Sequence, residues 1–162
     1  MRILSAVLLL AACHRTEPAA HTAGGRLEEA AVARGLVPDA RGGTLTGVWA
    51  SDTDRLCIVP AGDAMRIGAR IDYGDGQGCA ASGTAERAGD RLRVRFDECR
   101  FEAKYDGERI SFPAELPGGC ERLCSGRASL SALAVERLSA SGSEAETLRG
   151  SDGTPLCGSG AD

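Results

Sequence analysis

Strict two-residue alternation of apolar and polar side chains recurs along much of the chain beyond residue 43. In Arg91-Leu92-Arg93-Val94-Arg95-Phe96, three apolar side chains fall on one side and three arginines on the other. This pattern is typical of an antiparallel sheet with one face in a core and one in water. The strands it predicts are eight: residues 44–49, 56–59, 66–73, 79–86, 91–96, 100–105, 109–112 and 133–138.

Turn-forming residues separate these strands at short, regular intervals. Asp106-Gly107 is a strong hairpin signal, and Ala88-Gly89-Asp90 marks another turn. Such spacing predicts a mainly β domain built as an antiparallel meander. The meander closes into a small barrel or folds as a two-sheet sandwich, and the sequence leaves both open.

Two short helices flank the strands. Residues 26–36 carry a helical pattern that ends near a glycine. Near the C-terminus, Ser143 with Glu146 forms a capping-box pattern, and Ser141 with Glu144 fits it equally well. The sequence therefore predicts one short helix at each end of the β-rich region.

The N-terminal residues have the pattern of an export signal: one basic residue, a short apolar stretch and then small residues. The stretch ends in Leu10-Ala11-Ala12-Cys13, which resembles the lipobox of bacterial lipoproteins. The resemblance implies cleavage before Cys13 and a diacylglycerol on its sulfur. We therefore expect a signal peptide over residues 1–12, a lipidated N-terminus and flexible tether over 13–25, and one β-rich domain over 26–162.

A lipid anchor on Cys13 makes the membrane the first expected partner, because two or three acyl chains attach a protein almost permanently. The expected location is the bacterial cell envelope, with the domain facing the periplasm. His14 follows Cys13 where an aspartate would favour retention in the inner membrane, so the outer membrane is favoured.

The chain has seven cysteines, and the lipobox accounts for one of them. An even set in an exported protein indicates a disulfide framework. The six candidates are Cys57, Cys79, Cys99, Cys120, Cys124 and Cys157. The pairing expected is Cys57–Cys79, Cys99–Cys120 and Cys124–Cys157. The C-x3-C spacing of Cys120 and Cys124 differs from that of a redox pair, and a zinc site would lack histidine ligands.

Composition narrows the chemistry. The formal net charge of −4 argues against a nucleic-acid partner, which would call for a basic face. Both histidines, His14 and His21, precede the β-rich region, so a Ser–His–Asp or Cys–His centre cannot form inside it. We therefore predict a non-enzyme with no catalytic residue, no cofactor and no metal site.

Carboxylate chemistry remains as an alternative, because glycosidases work with two acids across a cleft. The candidate pairs are Asp52 with Asp54, Asp72 with Asp75, and Asp97 with Glu98. The glycine-rich stretch at 72–78 lacks the alternating carboxylates and final glutamate of an EF-hand loop. A carboxylate-dependent hydrolase is thus one alternative function.

Two further resemblances concern the β region. Gly47-Val48-Trp49 is similar to the G-x-W signature of lipocalins, which implies a tryptophan that closes one end of a barrel. The combination of lipobox, disulfides and small barrel resembles the membrane-bound inhibitors of lysozyme. Their serine- and lysine-containing loop motifs are not matched, so this resemblance implies no functional residue.

The sequence therefore predicts a lipid-anchored, disulfide-bonded envelope protein that works by binding rather than catalysis. The expected partner is another envelope protein or a small apolar ligand, and a lysozyme-inhibitor-like role is a further alternative. A barrel interior filled with side chains would argue for a protein partner over an apolar ligand.

Overall fold

The computed structural model describes residues 23–34 and 43–158, within two compact units, Met1–Val37 and Pro38–Asp162. The first unit contains helix α1, Ala23–Ala33, which begins three residues before the predicted start. Its first turn includes Gly24 and Gly25, whose low helix propensity hides it from the sequence pattern. Residues 1–22, with the predicted signal peptide and Cys13, lie outside the described residues.

The second unit is a closed antiparallel barrel in which each strand pairs with its neighbours in chain order and β8 pairs with β1. The elements are β1 Gly47–Ser51, β2 Asp54–Ala61, β3 Ala64–Gly74, β4 Gln77–Ala88, β5 Arg91–Phe96, β6 Cys99–Tyr105, β7 Arg109–Ser111, β8 Ala134–Ser139 and α2 Gly142–Glu146, with a 3-10 helix at Gly118–Leu123. All eight predicted strands are present. The pairing of β8 with β1 makes the fold a barrel and not a sandwich.

The alternation of side chains sets what faces the interior. On β5, Leu92, Val94 and Phe96 are buried, and the three arginines between them are exposed. The other strands likewise direct alternate side chains into the barrel interior. The largest fully buried side chains include Trp49, Leu56, Ile58, Ile67, Leu92, Phe96, Tyr105, Ile110 and Val135.

The hairpin between β3 and β4 is tighter than the glycine-rich sequence suggested. Asp75 and Gly76 form the connection, with φ values of 52° and 74°. Positive φ at both central residues matches the right-handed twist of the flanking strands. The strands therefore pair up to Gly74 and Gln77, beyond the predicted limits of 73 and 79.

The C-terminal segment, residues 142–158, packs on the outside of the barrel. Its helix α2 is capped by Ser141, whose hydroxyl accepts a hydrogen bond from the Glu144 N–H at 3.2 Å, so the Ser141–Glu144 alternative is confirmed. A small apolar cluster joins Ala145 and Leu156 of the segment to Val48 and Val59 of the barrel. This outer patch is the second core of the domain.

Three disulfides are present: Cys57–Cys157, Cys79–Cys124 and Cys99–Cys120. The predicted Cys99–Cys120 bridge is confirmed, and the predicted Cys57–Cys79 and Cys124–Cys157 bridges are wrong. Cys57 belongs to the outer cluster under the C-terminal segment, but Cys79 belongs to the interior core. Because the two side chains lie on opposite faces of the sheet, they cannot meet.

Gly68 of β3 allows the C-terminal segment to dock. A Cβ at this position would lie 2.6 Å from the Leu156 Cβ and 2.9 Å from the Cys57 Sγ. We expect Gly68→Ala to lower the free energy of unfolding by about 1–3 kcal/mol through overpacking. Urea unfolding followed by circular dichroism measures the loss.

The matched control is Gly118→Ala, because nothing lies within 4 Å of a Cβ built at Gly118. This exposed substitution is expected to change stability by less than about 0.5 kcal/mol. Equal stability of the two variants would contradict the tight packing of Leu156 against β3.

Candidate functional site

The end of the barrel at which β1 begins is closed by an arginine that lies over a tryptophan. The Arg137 guanidinium is 4.1 Å from the centroid of the Trp49 ring, and its Nη2 donates to the Thr44 carbonyl. The Trp49 Nε1 donates to the Leu45 carbonyl at 3.1 Å. Trp49 is fully buried, so the strand, the tryptophan and the preceding segment form one closed cap.

A glycine fixes the register of this cap. Gly47 has a φ of 135°, and a Cβ there would overlap the carbonyl oxygen of Ser139 on β8. The pairing of β1 with β8 shifts register between Val48 and Trp49, which sets Trp49 opposite Arg137. A bulge of this kind re-aims a side chain, here the indole toward the interior.

A second arginine and a tyrosine complete the same end. The Arg87 guanidinium lies 4.9 Å from the centroid of the Tyr105 ring and donates to the Gly43 carbonyl. The Tyr105 hydroxyl donates to the Gly107 carbonyl at 3.1 Å. Sequence analysis did not single out Arg137, although its inward parity with Val135 on a predicted strand was a usable signal.

The opposite end of the barrel is closed by the long connection between β7 and β8, residues 112–133, called here the stapled loop. Cys99–Cys120 and Cys79–Cys124 fix it to β6 and β4, and the Ser125 N–H donates to the Gly78 carbonyl at 2.8 Å. Its apolar side chains pack against the barrel core: Phe112, Leu116, Leu123, Ala128, Leu130 and Leu133. Both ends of the barrel are therefore covered by the chain itself.

Of the predicted carboxylate pairs, the structure joins members of two different ones. The Asp54 Oδ1 accepts from the Asp72 N–H at 3.2 Å, and the Thr53 hydroxyl donates to the Asp72 carbonyl at 2.8 Å. Asp72 in turn binds the Arg70 guanidinium at 2.8 Å. These contacts tie the turn between β1 and β2 to the end of β3.

The remaining candidates serve turns or ion pairs. Asp52, Asp75 and Asp97 occupy turns with positive φ, a conformation that aspartate tolerates better than most residues. Glu98 pairs with Arg122 of the stapled loop. Among residues 23–34 and 43–158, no three histidine, cysteine or acidic side chains are grouped so as to hold a metal ion.

Asp54 and Asp72 respond differently to their surroundings. Burial raises the pKa of Asp54, the hydrogen bond from the Asp72 N–H opposes this rise, and the charge of Asp52 adds to it. The Gly74 N–H and the Arg70 guanidinium hold the pKa of Asp72 below its ordinary value. The two carboxyl groups thus differ in proton affinity, and both accept hydrogen bonds from the backbone.

The outer side of β4–β6 carries five cationic side chains on two neighbouring strands. We call it the cationic face, and its outward residues are Thr84, Glu86, Arg91, Arg93, Arg95, Arg100, Glu102 and Lys104. The strand register arranges them in rows across the sheet. The rows are Thr84–Arg95–Arg100, Glu86–Arg93–Glu102 and Arg91–Lys104.

The rows differ in their charge balance. Glu102 lies 3.6 Å from Arg91 and 3.8 Å from Arg93, so one carboxylate serves two guanidinium groups. Arg95 and Arg100 face each other across β5 and β6, and neither forms an ion pair with any residue in the described part of the chain. A surface cleft of about 520 Å³ borders this pair, with Phe101 half-buried in its wall.

No described helix, in residues 23–34 or 43–158, is long and apolar enough to cross a bilayer. Comparison with protein-family models, curated proteins and solved structures finds no match to this chain.

Asp54 provides a test of the carboxylate pair through pH. Because its pKa is raised in the folded state above the ordinary value of 3.8, its protonated form stabilises the fold. That stability is present at acid pH and is lost as the pH rises through the folded-state pKa. We expect Asp54→Asn, which keeps an oxygen acceptor for the Asp72 N–H, to gain roughly 0.5 kcal/mol at neutral pH, a value reduced for solvent screening.

Urea unfolding from pH 3 to 7 measures this gain, which is expected to vanish at the acid end. The control is Asp63→Asn, which removes the same charge from the exposed turn between β2 and β3. A loss of stability in Asp54→Asn at neutral pH would show instead that the fold needs the ionised carboxylate.

Proposed function

We propose that this chain is a lipid-anchored protein of the bacterial cell envelope that binds its partner on the outside of a filled barrel. The observation that carries the proposal is the interior itself. Side chains from all eight strands occupy it, and each end is covered by another part of the chain.

A filled interior changes which partner is expected. Eight-stranded barrels have an interior that side chains can just fill or that can hold one small ligand. Here Trp49, Phe96 and Tyr105 are each at most 1% exposed and occupy this space. This arrangement favours a partner on the outer surface over a small apolar ligand within the barrel.

Rigidity also favours a role in binding. The stapled loop is tied down at Cys120 and Cys124, and the C-terminal segment at Cys157. Surfaces fixed before association lose less conformational freedom when a partner arrives, which leaves more of the contact energy for affinity. Asp54 and Asp72 support the turns of this scaffold, so we favour binding over carboxylate catalysis.

The envelope location is supported by the cysteines and by the N-terminal pattern. Three disulfides are usual in oxidising compartments such as the periplasm. The Leu10-Ala11-Ala12-Cys13 pattern supplies the expected anchor, and His14 after it favours the outer membrane. The domain would then face the periplasm from a lipid on Cys13.

A labelled fatty acid tests whether the interior takes a ligand. Trp49 is the only tryptophan in the chain, so its emission reports on the barrel core. We expect titration with a fluorescent fatty acid to show no saturable binding and no change in the Trp49 emission. Trp49→Phe is the control that removes the reporter. Saturable one-to-one binding with a shift of the Trp49 emission would contradict a partner-binding role confined to the outer surface.

Cys13→Ser tests the anchor. We expect the full chain expressed in a bacterium to enter the detergent phase on phase separation and to carry diacylglycerol by mass spectrometry. Cys13→Ser is expected to lose both, because serine offers no thiol for lipid attachment. Ala12→Gly preserves the small residue of the lipobox and is expected to behave as the wild type. A wild-type chain that carries no lipid would refute the anchored role.

A further inference from the structure

We infer that the cationic face binds the surface of a membrane that contains anionic phospholipids. The inference rests on the proposed lipid anchor, because the anchor is what brings the barrel to a membrane. The occupant is a phosphate-bearing leaflet, which the charge and spacing of the face fit.

The pairing of Arg95 with Arg100 is the starting point. Like charges placed directly opposite each other on neighbouring strands destabilise a sheet. No carboxylate within residues 23–34 or 43–158 pairs with either arginine, so the repulsion between them is not relieved inside the described chain. An arrangement that costs stability is expected where a ligand supplies the missing charge.

The groups in this row suit phosphate. A guanidinium can form two parallel hydrogen bonds to a phosphate group, and two guanidinium groups side by side can share one. The Thr84 side chain belongs to the same row and adds a hydroxyl donor. The neighbouring cleft of about 520 Å³, which Glu86 and Glu102 also line, gives a headgroup room beside the two arginines.

A second pair of cations lies farther along the face, although one of its members, Arg91, also pairs with Glu102. Arg91 lies opposite Lys104, four residues along β5 from Arg95. At a rise of about 3.3 Å per residue, the two dibasic rows are separated by roughly 13 Å. The acidic side chains are confined to the row between them, at Glu86 and Glu102. A single small anion could occupy one row only, whereas a leaflet presents phosphates to both.

The local charge also opposes that of the whole protein. The chain carries a formal net charge of −4, and the cationic face has five cations against two carboxylates. An anionic leaflet would repel the molecule on average and attract it through this face. The interaction would therefore orient the barrel as well as bind it.

The anchor makes a weak attraction sufficient. Twenty-nine residues lie between Cys13 and Gly43, and because eleven of them form helix α1, this stretch can span at most about 85 Å. A tethered domain meets the leaflet at a high effective concentration, so binding needs no strong intrinsic affinity. The anchor does not choose which side of the barrel meets the membrane, and the cationic face would make that choice.

The test uses the chain from His14 onward, which carries no lipid and no apolar leader. We expect it to cosediment with vesicles of phosphatidylcholine and phosphatidylglycerol but not with vesicles of phosphatidylcholine alone. Binding should weaken as salt is raised, because exposed charges are screened beyond about 10 Å at 0.1 M salt. Each arginine adds about fivefold to partitioning on an anionic surface, so Arg95→Gln with Arg100→Gln should reduce binding by roughly tenfold to thirtyfold.

Two variants separate the face from overall charge. Arg122→Gln with Arg127→Gln removes the same charge from the stapled loop and should bind as the wild type. Glu102→Gln removes the carboxylate between the dibasic rows and should increase binding. Arg95→Gln with Arg100→Gln should unfold in urea at the same concentration as the wild type or a higher one, since repulsion is removed.

Several results would overturn the inference. No binding to anionic vesicles would do so, and so would equal losses in the loop variant and the face variant. Binding to polyglutamate without binding to vesicles would assign the face to an acidic protein instead. If Cys13 carries lipid but the vesicles are not bound, the anchored role is supported and this inference is rejected. If the vesicles are bound but Cys13 carries no lipid, only the anchor is rejected.

Discussion

Closure of the sheet through the ladder between β1 and β8 forces every strand to have an inner and an outer side. Because side chains alternate along a strand, one register decides what is buried, what is exposed and which cysteines can meet. On β5 it sends Leu92, Val94 and Phe96 into the core and the three arginines outward. The filled interior and the cationic face are thus two consequences of the same constraint.

The outer surface of β1–β3 is the part of the wall that departs from the usual polar exterior. Val48, Cys57 and Val59 occupy outward positions and would expose apolar surface without a cover. The C-terminal segment supplies that cover, with Leu156 seated over Gly68 and Cys57 bonded to Cys157. One side of the barrel is therefore used for stability, whereas the cations of the cationic face on β5 and β6 are exposed.

Much of the barrel could be predicted because alternation and turn residues are local signals. The strands follow from neighbouring residues in the chain, and so does the restriction of the α2 cap to Ser141 or Ser143. The Cys99–Cys120 bridge was the pair left after two wrong pairings, so local signals did not identify it. The other two disulfides could not be chosen from spacing, since Cys57 and Cys157 are 100 residues apart. Cys57 alternates with the inward-facing Leu56 and Ile58 and therefore points outward, which excludes the inward-facing Cys79 as its partner. This exclusion needs the strand register. The contact of Arg137 with Trp49 could not be predicted for a related reason, because it depends on the register shift between β1 and β8.

The cationic face shows how stability and binding are divided in this molecule. Alternation alone predicts that the charged side chains of both strands point outward. Only the strand register shows that Arg95 lies opposite Arg100. A repulsive pair is tolerable on β5 and β6 because the strands beneath it are held by buried residues and by the Cys99–Cys120 bridge at their shared turn. Groups carried on paired strands also hold a more constant spacing than groups on loops. The regular part of the barrel, rather than the stapled loop, is thus the better platform for an extended array of charges.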